Sequence, residues 1–163
     1  MLTIALITSL LYLSPPPASE GVSAREKEED WPVGSAMQVG LAHNRRTEVL
    51  TTAILARGAE LLEVIAEGVE SPDSRVREAL SKEQSEWLRY RDASCELVGA
   101  ATGAGGVWPS TYGAECRVVV SQERLALLEA CIKQLREMEP EARQWGVAKC
   151  IGMHEVLNIG VGI

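Results

Sequence analysis

The chain has 163 residues, which is enough for one domain with its terminal segments. Its net charge of −7 argues against nucleic acid as a partner, because binding phosphate requires a basic face. Phenylalanine is absent and aromatic residues make up only 4% of the sequence, so the core is expected to be aliphatic and rich in alanine. Helices that pack through small residues fit this composition better than a β-sandwich, and an all-α fold is predicted.

Residues 1–19 are predicted to be a signal peptide. Met1–Leu13 is an uncharged apolar run, too short to span a membrane but as long as the hydrophobic region of a signal peptide. Cleavage after Ala18 or Ser19 would leave no membrane anchor, because no cysteine follows the run to carry a lipid. The alternative is that this run is buried in the fold or that Met1 is not the true start. Export to the periplasm or the medium also explains an even number of cysteines as disulfides.

Residues 20–35 are predicted to form a flexible leader. The charge run Arg25–Asp30 cannot bury enough apolar area to offset the entropy lost on ordering. Trp31 follows this run, and its docking on the domain is the alternative to a solvated linker.

A first helix is predicted from about Ala36 to Gly68, within a helical domain that covers residues 36–138. Gly58 interrupts the pattern at a cost of about 1 kcal/mol, and Gly68 ends the helix. The apolar residues recur at steps of three or four, as in an amphipathic helix, and the main ones are Leu50, Ile54, Leu61 and Ile65.

The segment Ser71-Pro72-Asp73 has the features of a helix start. It offers a hydroxyl cap, a proline at the first helical position and an acid in the first turn. The second helix should run to about Gly99, and the short connection predicts that it lies antiparallel to the first.

The buried face of the second helix is expected to carry Gln84, Trp87 and Arg91, which form a structural polar core together with Asp92, about 100° round the helix. Burying a guanidinium is costly unless it is paired, so Arg91 needs a carboxylate or carbonyls from another segment. Arg91 and Asp92 could form a ligand or partner site within the bundle. Because Arg91 shares its face with Trp87 and Cys95, bracing of the helices is the favoured role.

Gly99–Gly113 contains five glycines and one proline, so it is predicted to be a loop. It lacks the G-x-x-x-x-G-K-[ST] pattern and a preceding strand, which disfavours nucleotide binding. The loop carries Trp108 and Tyr112, which either cover the end of the bundle or form an exposed site for a partner.

A third helix is predicted from Ala114 or Ser121 to Met138, and Pro140 should end it. Residues 139–163 are either an irregular tail or a short fourth helix. The apolar stripe that should form the buried face of the third helix consists of Leu125, Leu128, Cys131, Ile132, Leu135 and Met138.

Nothing in the sequence indicates catalysis, a metal or another cofactor, so the protein is not expected to be an enzyme. No C-x-x-C motif occurs, which disfavours zinc and thioredoxin-like chemistry. His43 and His154 are far apart in sequence, and neither has a partner at metal-ligand spacing. No segment resembles the nucleophile elbow of a hydrolase.

One run of residues carries a family resemblance. The second helix carries a glutamine, a tryptophan, an Arg-Asp pair and a cysteine, namely Gln84, Trp87, Arg91-Asp92 and Cys95. The glycine-rich loop and Cys116 follow, and then a Ser-x-x-Arg-x-x-x-Leu helix start at Ser121, Arg124 and Leu128. This arrangement resembles the small extracytoplasmic helical domain at the N-terminus of LprI-type bacterial lysozyme inhibitors, over residues 76–135.

The resemblance implies an antiparallel bundle of three to four helices with a disulfide-pinned, glycine-rich loop. Four cysteines allow three connectivities, of which the resemblance favours Cys95–Cys116 with Cys131–Cys150. The first bridge would close about 20 residues, worth roughly 3 kcal/mol by the chain-entropy relation.

The resemblance also implies a protein partner, for which a lysozyme-type muramidase is the candidate. The loop Thr102–Tyr112 would block the cleft of this basic enzyme, and the acidic surface would steer association. The alternative is a structural or interaction module of the cell envelope, or a toxin-immunity-type protein, without lysozyme inhibition.

Overall fold

A computed structural model describes residues 27–69 and 73–151 of the chain. This part is all-α, as predicted, and none of its helices combines the length and the apolar composition needed to cross a membrane. The predicted signal peptide, residues 1–19, lies outside the described residues, as does His154. The helices are α1 (Ala36–Ala66), α2 (Ser74–Ala101), α3 (Trp108–Arg136) and α4 (Pro140–Cys150), with a 3-10 helix at Glu28–Asp30.

The three long helices form a bundle in which α2 runs antiparallel to α1 and α3. Helices α1 and α3 run in the same direction and pack most extensively on each other. Near their starts, the Thr111 hydroxyl donates to the Ala36 carbonyl at 2.8 Å. Near their ends, Arg136 pairs with Glu60 at 2.8 Å. The helix that follows α1 in the sequence is therefore not the one on which α1 buries most of its surface.

The buried core lies toward the end of the bundle where α4 packs. It is aliphatic, as the composition predicted, and Trp87 packs against its edge. The predicted stripes of α1 and α3 supply most of it. Its members are Ile54, Leu61, Val64, Ile65, Leu80, Leu128, Cys131, Ile132, Leu135, Val147 and Cys150.

Helix α2 begins at Ser74, where the Asp73 side chain accepts a hydrogen bond from the Arg75 backbone N–H at 2.9 Å. The same arginine lowers the pKa of the Asp73 carboxyl, chiefly through side-chain hydrogen bonding. The predicted cap, Ser71, lies outside the described residues, and Asp73 performs the capping role instead. An acid is well suited to this position because the helix N-terminus carries partial positive charge.

Helix α3 begins at Trp108, earlier than either predicted start. Pro109 occupies its first turn, where the missing backbone N–H costs nothing and the fixed φ suits the helix. The connection between α2 and α3 is therefore residues 102–107, and the prediction of a loop over Gly99–Gly113 was wrong at both ends. Trp108 and Tyr112 lie on a helix.

Part of the predicted leader is ordered against α1. Glu28 accepts a hydrogen bond from Arg45 at 3.2 Å, and Trp31 is only partly exposed. The Ser35 side chain caps α1 by accepting from the Gln38 N–H at 3.3 Å. Residues 27–35 thus form a short 3-10 helix and a turn, whereas residues 20–26 lie outside the described range.

A short fourth helix, α4, forms within residues 139–163, for which either an irregular tail or a short helix was predicted. Pro140 is its first residue, so this proline starts α4 just after α3 has ended at Arg136. Cys150 is bonded to Cys131, with 5.2 Å between their Cα atoms. Gly146 allows close packing, since a Cβ there would lie 2.7 Å from the Leu135 side chain.

Replacing Arg143 with alanine is expected to lower the free energy of unfolding by about 1.5 kcal/mol. Its guanidinium is only 11% exposed and donates to the carbonyls of Met138, Val64 and Glu67 at 3.2, 3.3 and 3.4 Å. Val64 lies in the last turn of α1, and Glu67 and Met138 lie just beyond the ends of α1 and α3. These carbonyls have few partners within their own helices. Urea unfolding would measure the loss, with Arg46→Ala, an exposed change on α1, as the control.

Candidate functional site

A polar groove of about 770 Å³ opens among α1, α2 and α3, at the end of the bundle where α3 begins. Three carboxylates on its walls, Glu48, Asp92 and Glu96, are exposed. Arg117 of α3 reaches across to α1 and donates to the Asn44 side chain at 3.2 Å. This end of the molecule therefore combines a concave polar surface with charges of both signs.

Arg91 lies in this groove and joins the three long helices. It is 5% exposed and donates to the hydroxyls of Thr51 on α1 at 2.9 Å and Ser121 on α3 at 3.2 Å. Its Nε also donates to Asp92 at 2.8 Å. The predicted burial is confirmed, but the paired carboxylate is the next residue in the sequence and not one from another segment. The distant segments contribute hydroxyls, which leave the charge of Asp92 as the counterion.

Trp87 lies within reach of two buried guanidinium groups. The Cζ atoms of Arg91 and Arg124 are 5.8 and 5.2 Å from its ring centroid, within the range of cation–π attraction. Arg124 is 5% exposed and forms an ion pair with Glu83 of α2. Sequence reasoning did not assign Arg124 to the polar core. The steps of three and four residues from Ser121 through Arg124 to Leu128 would have placed it on the buried face.

Gln84 occupies space that Gly58 leaves open on α1. Gln84 is 8% exposed, and a Cβ on Gly58 would lie 2.5 Å from its Nε2 atom. Gly58 therefore does more than interrupt α1, because it gives a buried amide room between the helices. Neither amide atom of Gln84 has a hydrogen-bond partner among the described residues.

The connection and the first turn of α3, residues 102–112, are here called the tip. Gly103 and Gly106 have φ values of 66° and 63°, a region that favours glycine, and a Cβ on either would meet nothing within 4 Å. Behind the tip, Cys95 is bonded to Cys116, with 5.5 Å between their Cα atoms. The connectivity that the resemblance implied is therefore present, and the tip projects from a covalently closed base.

Two aromatic side chains are exposed on the tip. The rings of Trp108 and Tyr112 stack with their centroids 5.7 Å apart, and the residues are 40% and 38% exposed. Val107, which precedes them, is 45% exposed. The i, i+4 spacing on α3 brings the rings together. They form a partly exposed aromatic surface next to Pro109 and Ser110 of the polar groove.

A network of ion pairs joins α1 and α3 farther along the bundle. Arg57 bonds Glu60 and Glu129, and Arg136 also bonds Glu60. The hydrogen bond from Arg57 lowers the pKa of the Glu60 carboxyl below its usual value. These groups lie on the surface, where such pairs contribute little to stability.

The described residues show neither a cluster of candidate metal ligands nor a free thiol. No group of three or more His, Cys, Asp or Glu side chains in residues 27–69 and 73–151 is placed to hold a metal ion. All four cysteines are in disulfides, so none supplies a thiol nucleophile.

Comparison with known proteins gives one match. A family model described as lysozyme inhibitor LprI matches residues 42–139, from the first turns of α1 to just beyond α3, which is more than half of the chain. Searches of curated proteins and of solved structures give no match. The matched region contains the polar core, the tip and the Cys95–Cys116 bridge, and the chain accordingly belongs to the LprI family of lysozyme inhibitors.

Proposed function

We propose that this protein binds a lysozyme-type muramidase outside the cytosol and blocks its substrate cleft sterically. The observation that carries the proposal is the stacked pair Trp108 and Tyr112, which is partly exposed at one end of the bundle. The family to which the chain belongs is described as lysozyme inhibitors. Aromatic side chains bring a large contact area with few rotatable bonds, and they are enriched among the residues that dominate binding energy. The family consists of inhibitors, so no catalytic step is assigned.

The base of the tip is held by a disulfide and by close helix packing in the absence of a partner. The disulfide Cys95–Cys116 joins the end of α2 to the first turns of α3, and Gly99 lets the Pro109 carbonyl approach α2 closely. Because Trp108 and Tyr112 are already in a helix, binding does not have to order them. A pre-ordered contact surface avoids part of the entropy cost of association.

The charge of the protein suits a basic partner. The net charge is −7, and the exposed carboxylates Glu48, Asp92 and Glu96 line the groove beside the tip. Such an arrangement speeds association with a cationic protein and makes the rate fall as salt is added. We therefore assign steering to this acidic surface and most of the contact energy to the aromatic pair.

The disulfides and the family both indicate a location outside the cytosol. Disulfides persist in oxidising compartments and are rare in the cytosol, and this domain has two of them. The predicted signal peptide, residues 1–19, is the proposed export signal, and its removal would release the protein into the periplasm or the medium.

Replacing both Trp108 and Tyr112 with alanine is expected to raise the inhibition constant against a lysozyme at least about 100-fold, or about 2.7 kcal/mol. A hot-spot truncation costs about 2 kcal/mol or more, and the costs for two stacked side chains do not add in full. The rate of cell-wall lysis at increasing inhibitor concentration measures this constant. Trp145→Ala is the matched control, because it also removes an indole but lies on α4, at the opposite end of the bundle from the tip. Trp108 lies at the start of α3, and Trp145 lies on α4, which packs at the other end of α3. The length of α3, at about 1.5 Å per residue, separates the two tryptophans by about 40 Å.

Equal potency of the double variant and the control would exclude the tip as the contact surface. Failure of the unmodified protein to slow lysis at micromolar concentration would exclude lysozyme inhibition itself. The remaining candidate would then be an interaction module of the envelope or an immunity-type protein.

A further inference from the structure

An apolar groove of about 540 Å³ lies between the first half of α2 and α4. Val76 and Leu80 line one side, and Val147 and Ile151 line the other. Trp145 also borders this groove and is 80% exposed. A tryptophan buries more apolar area than most side chains when it is covered, so an exposed indole beside an apolar groove indicates a surface with an occupant.

The chain itself supplies a suitable segment. Residues 152–163 follow Ile151, which already lines the groove. They contain a single acid and no lysine or arginine. Their apolar members are Met153, Val156, Leu157, Ile159, Val161 and Ile163.

The length of the segment is sufficient for docking. The α2 side of the groove extends from Asp73 to Glu83, about 15 Å along the helix axis. Twelve residues reach up to about 40 Å when extended, so the segment can turn back after Ile151 and follow the groove. Tethering at Ile151 holds it near the groove at an effective concentration on the order of millimolar.

Other apolar segments are less well placed. The run Met1–Leu13 precedes Ala36, and Ala36 contacts Thr111 at the opposite end of the bundle from α4. A second copy of the chain would have to bind from solution without the benefit of a tether.

We propose that residues 153–163 dock in the apolar groove and cover Trp145. The hydrophobic effect drives this docking through the apolar surface that it removes from water. Docking would extend the aliphatic core beyond α4 on the side that faces α2. This proposal does not depend on lysozyme inhibition, because the groove lies at the opposite end from the tip.

The test replaces Val156, Leu157 and Ile159 together with serine in the full chain. Quenching of indole fluorescence by acrylamide is measured for the unmodified chain and for the triple variant, each with and without Trp145→Phe. The difference that Trp145→Phe makes gives the signal of Trp145 apart from the other three tryptophans. We expect quenching of Trp145 to rise at least about twofold in the triple variant and the thermal midpoint to fall by about 4 °C. The control, His154→Ser with Asn158→Ser, should change neither.

Equal quenching of Trp145 in the unmodified chain and the triple variant would overturn the proposal. Protection of Trp145 that increases with protein concentration and accompanies a dimer in sedimentation would also overturn it, because the occupant would then be a second copy.

Discussion

Replacing Arg91 with alanine is expected to lower the free energy of unfolding by about 3 kcal/mol, since the Thr51 and Ser121 hydroxyls would lose a charged donor inside the bundle, whereas Asp92 is 55% exposed and would be solvated by water. The guanidinium donates to Thr51, Ser121 and Asp92 and faces the ring of Trp87. Alanine would remove all of these interactions and leave a cavity among three helices. Denaturation by urea with the disulfides intact would measure the change.

Two further substitutions distinguish the geometry of Arg91 from its charge. Arg91→Lys keeps the charge but cannot donate in three directions from one planar group, so it should recover less than about half of the loss. Arg89→Ala is the control, because Arg89 is on the same helix with its side chain 76% exposed and should change stability by less than about 0.5 kcal/mol. A loss below about 1 kcal/mol for Arg91→Ala would contradict a bracing role, since water in the groove would then be replacing the guanidinium.

Replacing Gly99 with alanine is expected to cost about 3 kcal/mol, at the upper end of the usual range for overpacking. A Cβ on Gly99 would lie 2.1 Å from the Pro109 carbonyl oxygen and 3.1 Å from the Gly113 nitrogen. Both atoms belong to the backbone and cannot rotate away, so α2 and α3 would have to separate. The bond between Cys95 and Cys116 opposes that separation.

Gly105→Ala is the matched control for this change. Gly105 lies in the same connection, a Cβ there would meet nothing within 4 Å, and its φ is not positive as those of Gly103 and Gly106 are. Its unfolding curve should therefore match that of the unmodified chain. Gly99→Ala should also weaken binding by the tip, because Pro109 is next to Trp108. If both glycine variants unfold at the same urea concentration, the close approach of α2 to α3 is wrong.

In the polar core, local sequence patterns predict which residue is buried but not which residues it contacts. The position of Arg91 on the same helical face as Leu80 and Cys95 predicts its burial, because helical periodicity is a local property. Its partners Thr51 and Ser121 are 40 and 30 residues away, and no local pattern identifies them. Which hydroxyls meet the guanidinium depends on the register of three helices against one another.

The tip shows a local pattern that misleads. Glycine and proline between Gly99 and Gly113 predict a loop, since both residues are disfavoured inside helices. In the structure Gly99 ends the buried face of α2, whereas its neighbour Val98 is 49% exposed. Gly113 lies inside α3, where a Cβ would come within 3.0 Å of the Cys95 carbonyl oxygen. These glycines serve close helix packing, and the benefit of that packing exceeds their weak helix propensity.

The sequence by itself determined the helical class, the aliphatic stripes of α1 and α3 and the family, because these follow from spacing along one chain. The burial of Arg91 was also accessible from residue patterns, and the disulfide pairs followed from the family resemblance. Only the tertiary structure decided that α1 packs chiefly on α3, that Arg124 faces Trp87, and that Trp108 and Tyr112 stack on a helix. The first two depend on how far apart and in what register the helices pack, which is a property of contacts between distant segments. The third requires α3 to begin at Trp108, and the close packing of α2 against α3 at Gly99 and Gly113 outweighs the weak helix propensity of glycine there.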